Sequence, residues 1–138
     1  MYKIEKTTLE EYERLSPKGI EVGDLCYDDA FRSFTFEKMI VDGDLVAMIA
    51  RGDEYRQGIG VTSVSALIFE EIKKHMREIK KFGVDYLDSI QELPLLAEVQ
   101  EDYPAYSKFL EYLGFTRSDK TLDYVDENGI MYKSYIRK

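Results

Sequence analysis

A chain of 138 residues with 44% hydrophobic and 33% charged side chains is long enough for one globular core and too short for two. Its net charge of −8 argues against nucleic acid as a general partner, because phosphate binding needs a positive footprint, and suits a cationic target such as an amine or a basic protein surface. No apolar run reaches membrane-spanning length and none marks a signal peptide; Cys26 is the lone cysteine, so no intramolecular disulfide forms and a reducing, cytoplasmic setting is expected.

Tyr2 to Lys6 alternates and predicts a strand. Thr7 or Thr8, with Glu10 or Glu11 three residues on, has the capping-box pattern that opens a helix through Leu15, and Ser16-Pro17-Lys18-Gly19 closes it. Residues 20–33 read as a loop and a short helix. The β-rich runs Phe34–Val41 and Leu45–Ala50 flank Asp42-Gly43-Asp44, a strong hairpin signal. Gly52-Asp53 predicts a second turn, and Tyr55 to Thr62 a third antiparallel strand.

From Ser63 the period changes. Val64, Ile68, Ile72, Met76 and Ile79 fall on one helix face, with charged residues on the others, so a long helix is expected, with Gly83 as a possible break and Leu87 and Ile90 continuing it or forming a second helix. Leu95–Gln100 then reads as a strand and residues 104–113 as a short helix. Ala105, Phe109 and Tyr112 with Leu113 give that helix an apolar stripe. Pro104 suits its first turn, and Gly114 a left-handed cap with Phe115 as the hydrophobic contact after it. Thr116–Val125 and Ile130–Arg137 flank Asp126-Glu127-Asn128-Gly129, another hairpin signal.

The strand Leu95–Gln100 followed by a helix ending Leu113-Gly114-Phe115 resembles the C-terminal part of the GNAT-type N-acetyltransferases, whose strand valine and helix-ending glycine stand fifteen positions apart, as Val99 and Gly114 do. The element order β-α-(α)-β-β-β-α-β-α-β-β extends the resemblance over nearly the whole chain. It implies an α/β (α+β) fold: a single GNAT-like domain over residues 1–138, with a mixed, mostly antiparallel sheet flanked by helices. It also implies acetyl-CoA as cofactor and an amine as substrate.

In that family a loop of the form Q/R-x-x-G-x-G/A opens the long helix and binds the coenzyme's pyrophosphate through backbone N–H groups. Two registers are open here. Tyr55-Arg56-Gln57-Gly58-Ile59-Gly60 is similar in sequence, which implies contacts from Arg56, Gln57, Gly58 and Gly60. That register leaves too few residues after the Asp42-Gly43 turn for a full further strand. Moving the strand onto Tyr55–Thr62 repairs the spacing and shifts the loop to Thr62-Ser63-Val64-Ser65, with Val61 beside it. Gly58 and Gly60 then become strand positions of close backbone approach. This second arrangement is similar to small GNAT-fold proteins of tailed bacteriophages, including internal virion proteins, which have Phe-Leu, here Phe109-Leu110, where active enzymes have Phe-Tyr. It implies an alternative role without catalysis, structural in a virion or through binding a phage or host protein.

The family's acid, a tyrosine that protonates the leaving thiolate, aligns with Leu110, which has no proton to give. Tyr106, one turn earlier, is either the substitute acid or a packing aromatic. Tyr103 replaces the family's Asn at the start of the helix. Glu98, on the strand that would line the site, is a candidate base or a solvated strand carboxylate. His75 reads as solvated on a charged helix face, Cys26 as an unpaired small side chain, and no metal site is supported.

Overall fold

The computed structural model describes residues 1–22, 33–56, 58–100, 104–118 and 123–138. The strands and helices run β1 (Tyr2–Thr7), α1 (Leu9–Leu15), β2 (Ile20–Val22), β3 (Thr35–Val41), β4 (Asp44–Arg56), β5 (Ile59–Ile68), α2 (Met76–Ile90), β6 (Leu95–Gln100), α3 (Pro104–Tyr112), β7 (Thr116–Arg117), β8 (Tyr124–Val125) and β9 (Met131–Arg137). The strands form one sheet in the order β1-β3-β4-β5-β6-β9-β7, with β2 on β5 and β8 on β9. The β5–β6 pair is parallel and the others antiparallel. This is the mixed, mostly antiparallel α+β sheet expected.

Local signals explain most of the elements. Thr8 caps α1, its Oγ1 accepting from the Glu11 N–H at 3.2 Å. Asp42 and Gly43 both have positive φ, 49° and 85°, the requirement of the two-residue turn that joins β3 to β4. At the end of α3, Gly114 has φ 99°, and the Phe115 N–H reaches the Leu110 carbonyl at 3.0 Å while the Gly114 N–H reaches Glu111 at 3.1 Å. Those two bonds form the six-to-one and five-to-two pattern of a Schellman cap.

Leu45–Ala50 is apolar without alternation because β4 is covered on both faces. Ala47 and Ile49 pack under α2 and α3 with Ile79, Phe82, Leu110 and Leu113. Met48 and Ala50 pack on the opposite face with Tyr12 of α1, Phe36 and Leu67.

Five expectations need correction. No turn forms at Gly52-Asp53: β4 runs on to Arg56, and the glycine is there for packing, since a Cβ at Gly52 would stand 2.2 Å from the Phe34 ring. The third strand is Ile59–Ile68, not Tyr55–Thr62, because the turn falls at Gly58, with φ 78°, and β5 pairs with β4 from Arg56↔Ile59 to Ala47↔Ile68. The long helix begins at Met76, not Ser63; Glu70–His75 forms a 3₁₀ segment before it. Val64 and Ile68 misled because a spacing of four fits a helical turn and an alternating strand equally. Gly83 does not break α2: it is buried where a Cβ would meet Leu113 at 2.8 Å. Residues 20–22, expected to begin a loop and short helix, form β2 instead, and residues 23–32 lie outside the described residues.

Among the described residues, the Arg117–Asp123 ion pair ties the C-terminal strands together. Arg117 donates from both terminal nitrogens to Asp123, Nη1 at 2.8 Å from Oδ1, and the Ser134 N–H donates to the same oxygen at 2.9 Å. Burial alone would raise the Asp123 pKa; the Arg117 bond and the Ser134 N–H outweigh it and hold the carboxyl below its usual value. A depressed folded pKa contributes stability above the unfolded value, near 3.9, and loses it as pH falls through the folded one. Asp123→Asn should therefore cost about 1 kcal/mol at neutral pH. Urea midpoints of the two proteins, taken from pH 6 downward, should converge below roughly pH 4; a gap that stays constant to acid pH would assign the loss to packing.

Candidate functional site

The sheet splits at its centre. β5 and β6 pair only at Thr62↔Leu95 and Ser63↔Leu96, with the Thr62 N–H on the Pro94 carbonyl at 2.9 Å, and diverge beyond. β6 continues with β9 over its whole length, while β2 takes the β5 edge at Ala66–Ile68. Beside this split, under α2 and α3, lies a cavity of about 380 Å³. Ala47, Ile49, Val64 and Ala97 of the sheet form its floor. Ile72, Met76 and Ile79 cover it, and Tyr106, Phe109 and Leu110 of α3 close one side.

The lining is apolar apart from a few groups: Ser65, Lys73 and the phenols of Tyr86 and Tyr106. Tyr86 is committed elsewhere. Its hydroxyl donates to Glu37 Oε1 at 2.6 Å, and Arg51 Nε donates to the same oxygen at 2.9 Å. Burial first, then the bond to the Glu37 carboxylate, raises the Tyr86 pKa far above that of a free phenol.

The predicted site residues divide. Val64, Ser65, Tyr106 and Leu110 line the cavity. Thr62 and Ser63 lie mid-strand rather than at a helix opening, their hydroxyls donating to Asp53 and Glu54 at 2.6 Å each. Val61 is buried with Leu96 and Ile136. Gly58 and Gly60 belong to the β4–β5 hairpin, away from the opening of α2. Gln57, Tyr103 and Cys26 lie outside the described residues.

Glu98 does not line the cavity. On β6, Ala97 and Val99 face the α2 side and Glu98 alternates to the other, where Arg56 donates to it and, through Nη1, to Glu54 Oε1 at 2.8 Å. Burial alone would lower the Arg56 pKa; Glu98 and then Glu54 outweigh it and raise it.

Sequence reasoning missed the segment that does open the long helix. Glu70–His75 follows β5 directly and carries Lys73 and Lys74, with Arg77 one residue into α2. All three cations are exposed, among the exposed carboxylates Glu70, Glu71 and Glu78. No side chain caps the first turn of α2. His75 is not solvated as expected: its side chain is 11% exposed and its Nε2 lies 2.8 Å from Asp44 Oδ2. Tyr112 departs from the expected α3 stripe and is exposed, with the Lys80 ammonium 4.7 Å from its ring centre. The run of alternating charges directly after a strand was the available signal, obscured because the helix was read from Ser63. No group of metal-ligating side chains occurs among the described residues, and no described helix is long and apolar enough to cross a membrane.

No protein-family profile and no curated protein matches the sequence. Solved structures do match the fold over essentially the full chain. An N-acetyltransferase from Staphylococcus aureus Mu50 superposes with a TM-score of 0.68 at 16% identity, covering 100% of this chain and 97% of its own. The ribosomal-protein-S18-alanine N-acetyltransferase from Escherichia coli gives 0.61 at 13% identity, covering 99% and 93%. AAC(6')-Ib in complex with parmomycin and acetyl-CoA gives 0.66 at 11% identity, covering 99% and 93%. The fold is that of the GNAT N-acetyltransferases.

Proposed function

We propose that this protein is a single-domain, GNAT-type acyltransferase that uses an acyl-CoA to acylate an amine, with a reduced set of acid–base groups. The observation that carries the reading is the cavity beside the β5–β6 split, reached by Tyr106 from one side and by the opening of α2 from another.

The residues present fit coenzyme A unequally. The cavity suits a thioester arm, with Val64 and Ser65 on the strand edge between the β6 and β2 pairings. Lys73, Lys74 and Arg77, around the start of α2 where no side chain caps the helix, would hold the diphosphate. Glu70, Glu71 and Glu78 offset those cations, so the arm contributes more to affinity than the diphosphate. When bound, the coenzyme supplies an activated acyl group.

Tyr106 would carry the proton destined for the leaving sulfur. Glu98, on the opposite face of β6, would serve an amine that enters from the α1 side and meets the thioester through the gap where β5 and β6 part, with Arg56 fixing its carboxylate. A cationic substrate, a small polyamine or a basic protein surface, suits the overall charge of −8.

The second reading, a GNAT-fold protein without catalysis that acts in a phage particle or on a host protein, is favoured by one observation: the cavity is lined by Leu110, which the sequence resemblance aligns with the family's tyrosine. A thermal-shift titration with acetyl-CoA separates the two. Coenzyme at a hundredfold excess over its Kd should stabilise by about 3 kcal/mol, a rise of roughly 10 °C. Thioester cleavage with polyamines or lysine-rich peptides should follow. No shift at millimolar coenzyme and no cleavage would favour the second reading.

A further inference from the structure

The cavity is larger than an acetyl group needs. Protein interiors pack to crystal density, with few voids above the size of a water molecule. An apolar cavity of about 150 Å³ stays dry and takes up benzene, six carbons. In proportion, the cavity of about 380 Å³ accommodates on the order of 15 carbons, room for a medium-length chain together with the thioester end of the coenzyme's arm.

Its shape and lining narrow the occupant. It extends beneath the helices from Met39 of β3, past Ala47 and Val64, to Ala97 of β6. Those four strands are neighbours in the sheet, so the cavity spans roughly 14 Å at the usual strand spacing. The β3–β4 end is closed by methionine and aliphatic side chains, and the hydroxyl of Tyr86 above it is held by Glu37. Ser65 and Tyr106 belong to the β5–β6 end; Lys73, on the segment packed beside the start of β4, is exposed. One polar end and one long apolar end match a molecule with a polar head and a single alkyl tail.

We infer that the cavity holds an unbranched acyl chain of roughly 8–12 carbons, and that the preferred donor carries a medium-chain acyl group rather than acetyl. The choice of coenzyme A as carrier rests on the function proposed above; the chain site does not.

The test is a binding series on the wild-type protein, by calorimetry and thermal shift. It uses coenzyme A and its acetyl, butanoyl, hexanoyl, octanoyl, decanoyl and dodecanoyl thioesters, with free decanoate alongside, each below its micellar concentration. Each added methylene should tighten binding by up to about fourfold, so that decanoyl-CoA binds at least ~100-fold more tightly than acetyl-CoA. Ala97→Phe, which fills the floor, should flatten the series, and Ala47→Leu serves if that variant does not fold. Equal affinity for acetyl and decanoyl thioesters overturns the chain site and leaves the coenzyme reading standing. Decanoate binding with no response to any thioester upholds the chain site and overturns the coenzyme reading. Failure of every ligand to bind overturns both.

Discussion

Tyr106→Phe should lower acyl-transfer turnover by at least ~10², with acyl-CoA affinity nearly unchanged. Leu110 lines the cavity and has no proton to donate, and the Tyr86 phenol is bonded to Glu37. Tyr106 stands one turn before Leu110 on the same side of α3, and both reach the cavity. Helical side chains lean toward the N-terminal end, so Tyr106 and Leu110 cover neighbouring parts of one surface. A phenol is protonated at neutral pH and can serve as a general acid. Removing one hydroxyl leaves the ring, and with it the packing against the cavity wall, so the loss should fall on kcat rather than on KM. Steady-state release of free thiol measures it. Full turnover in Tyr106→Phe would make the tyrosine a packing residue.

Glu37→Ala should destabilise the fold by about 2–4 kcal/mol. Glu37 is the shared acceptor of the Arg51 guanidinium and the Tyr86 hydroxyl, and its side chain is 12% exposed. Removing one partner of a buried pair costs about 3–5 kcal/mol, because the other charge is left without compensation. Arg51 keeps some access to water, with 27% of its side chain exposed, which moves the expected loss to the lower end of that range and below it. Tyr86→Phe, which leaves the Glu37–Arg51 pair intact, should cost only about 1 kcal/mol. Guanidinium unfolding of the three proteins gives the comparison. A loss under about 1 kcal/mol for Glu37→Ala would show that Arg51 finds water once its partner is gone.

The sequence by itself determined the features whose cause lies within a few residues. Thr8 caps α1 through an N–H three positions away. Asp42-Gly43 turns the chain because those residues tolerate positive φ, and Gly114 ends α3 for the same reason. Leu95–Gln100 was legible because its apolar residues fill a short run bounded by turn signals.

Tertiary structure decided the rest, where the cause lies across the sheet. The pattern Val64–Ile68 fits a helix and a strand alike, and the ten-pair ladder to β4 settles it as strand. Gly52 looks like a turn residue in one dimension, and only the Phe34 ring against it shows why the side chain must be absent. Glu98 and Ala97 are neighbours in sequence, yet the alternation of β6 sends them to opposite faces, one to Arg56 and one to the cavity. The cavity itself has no local signature. Its walls come from β3, β4, β5, β6, α2 and α3, and it exists because β5 and β6 part after two residue pairs, leaving space that neither helix fills.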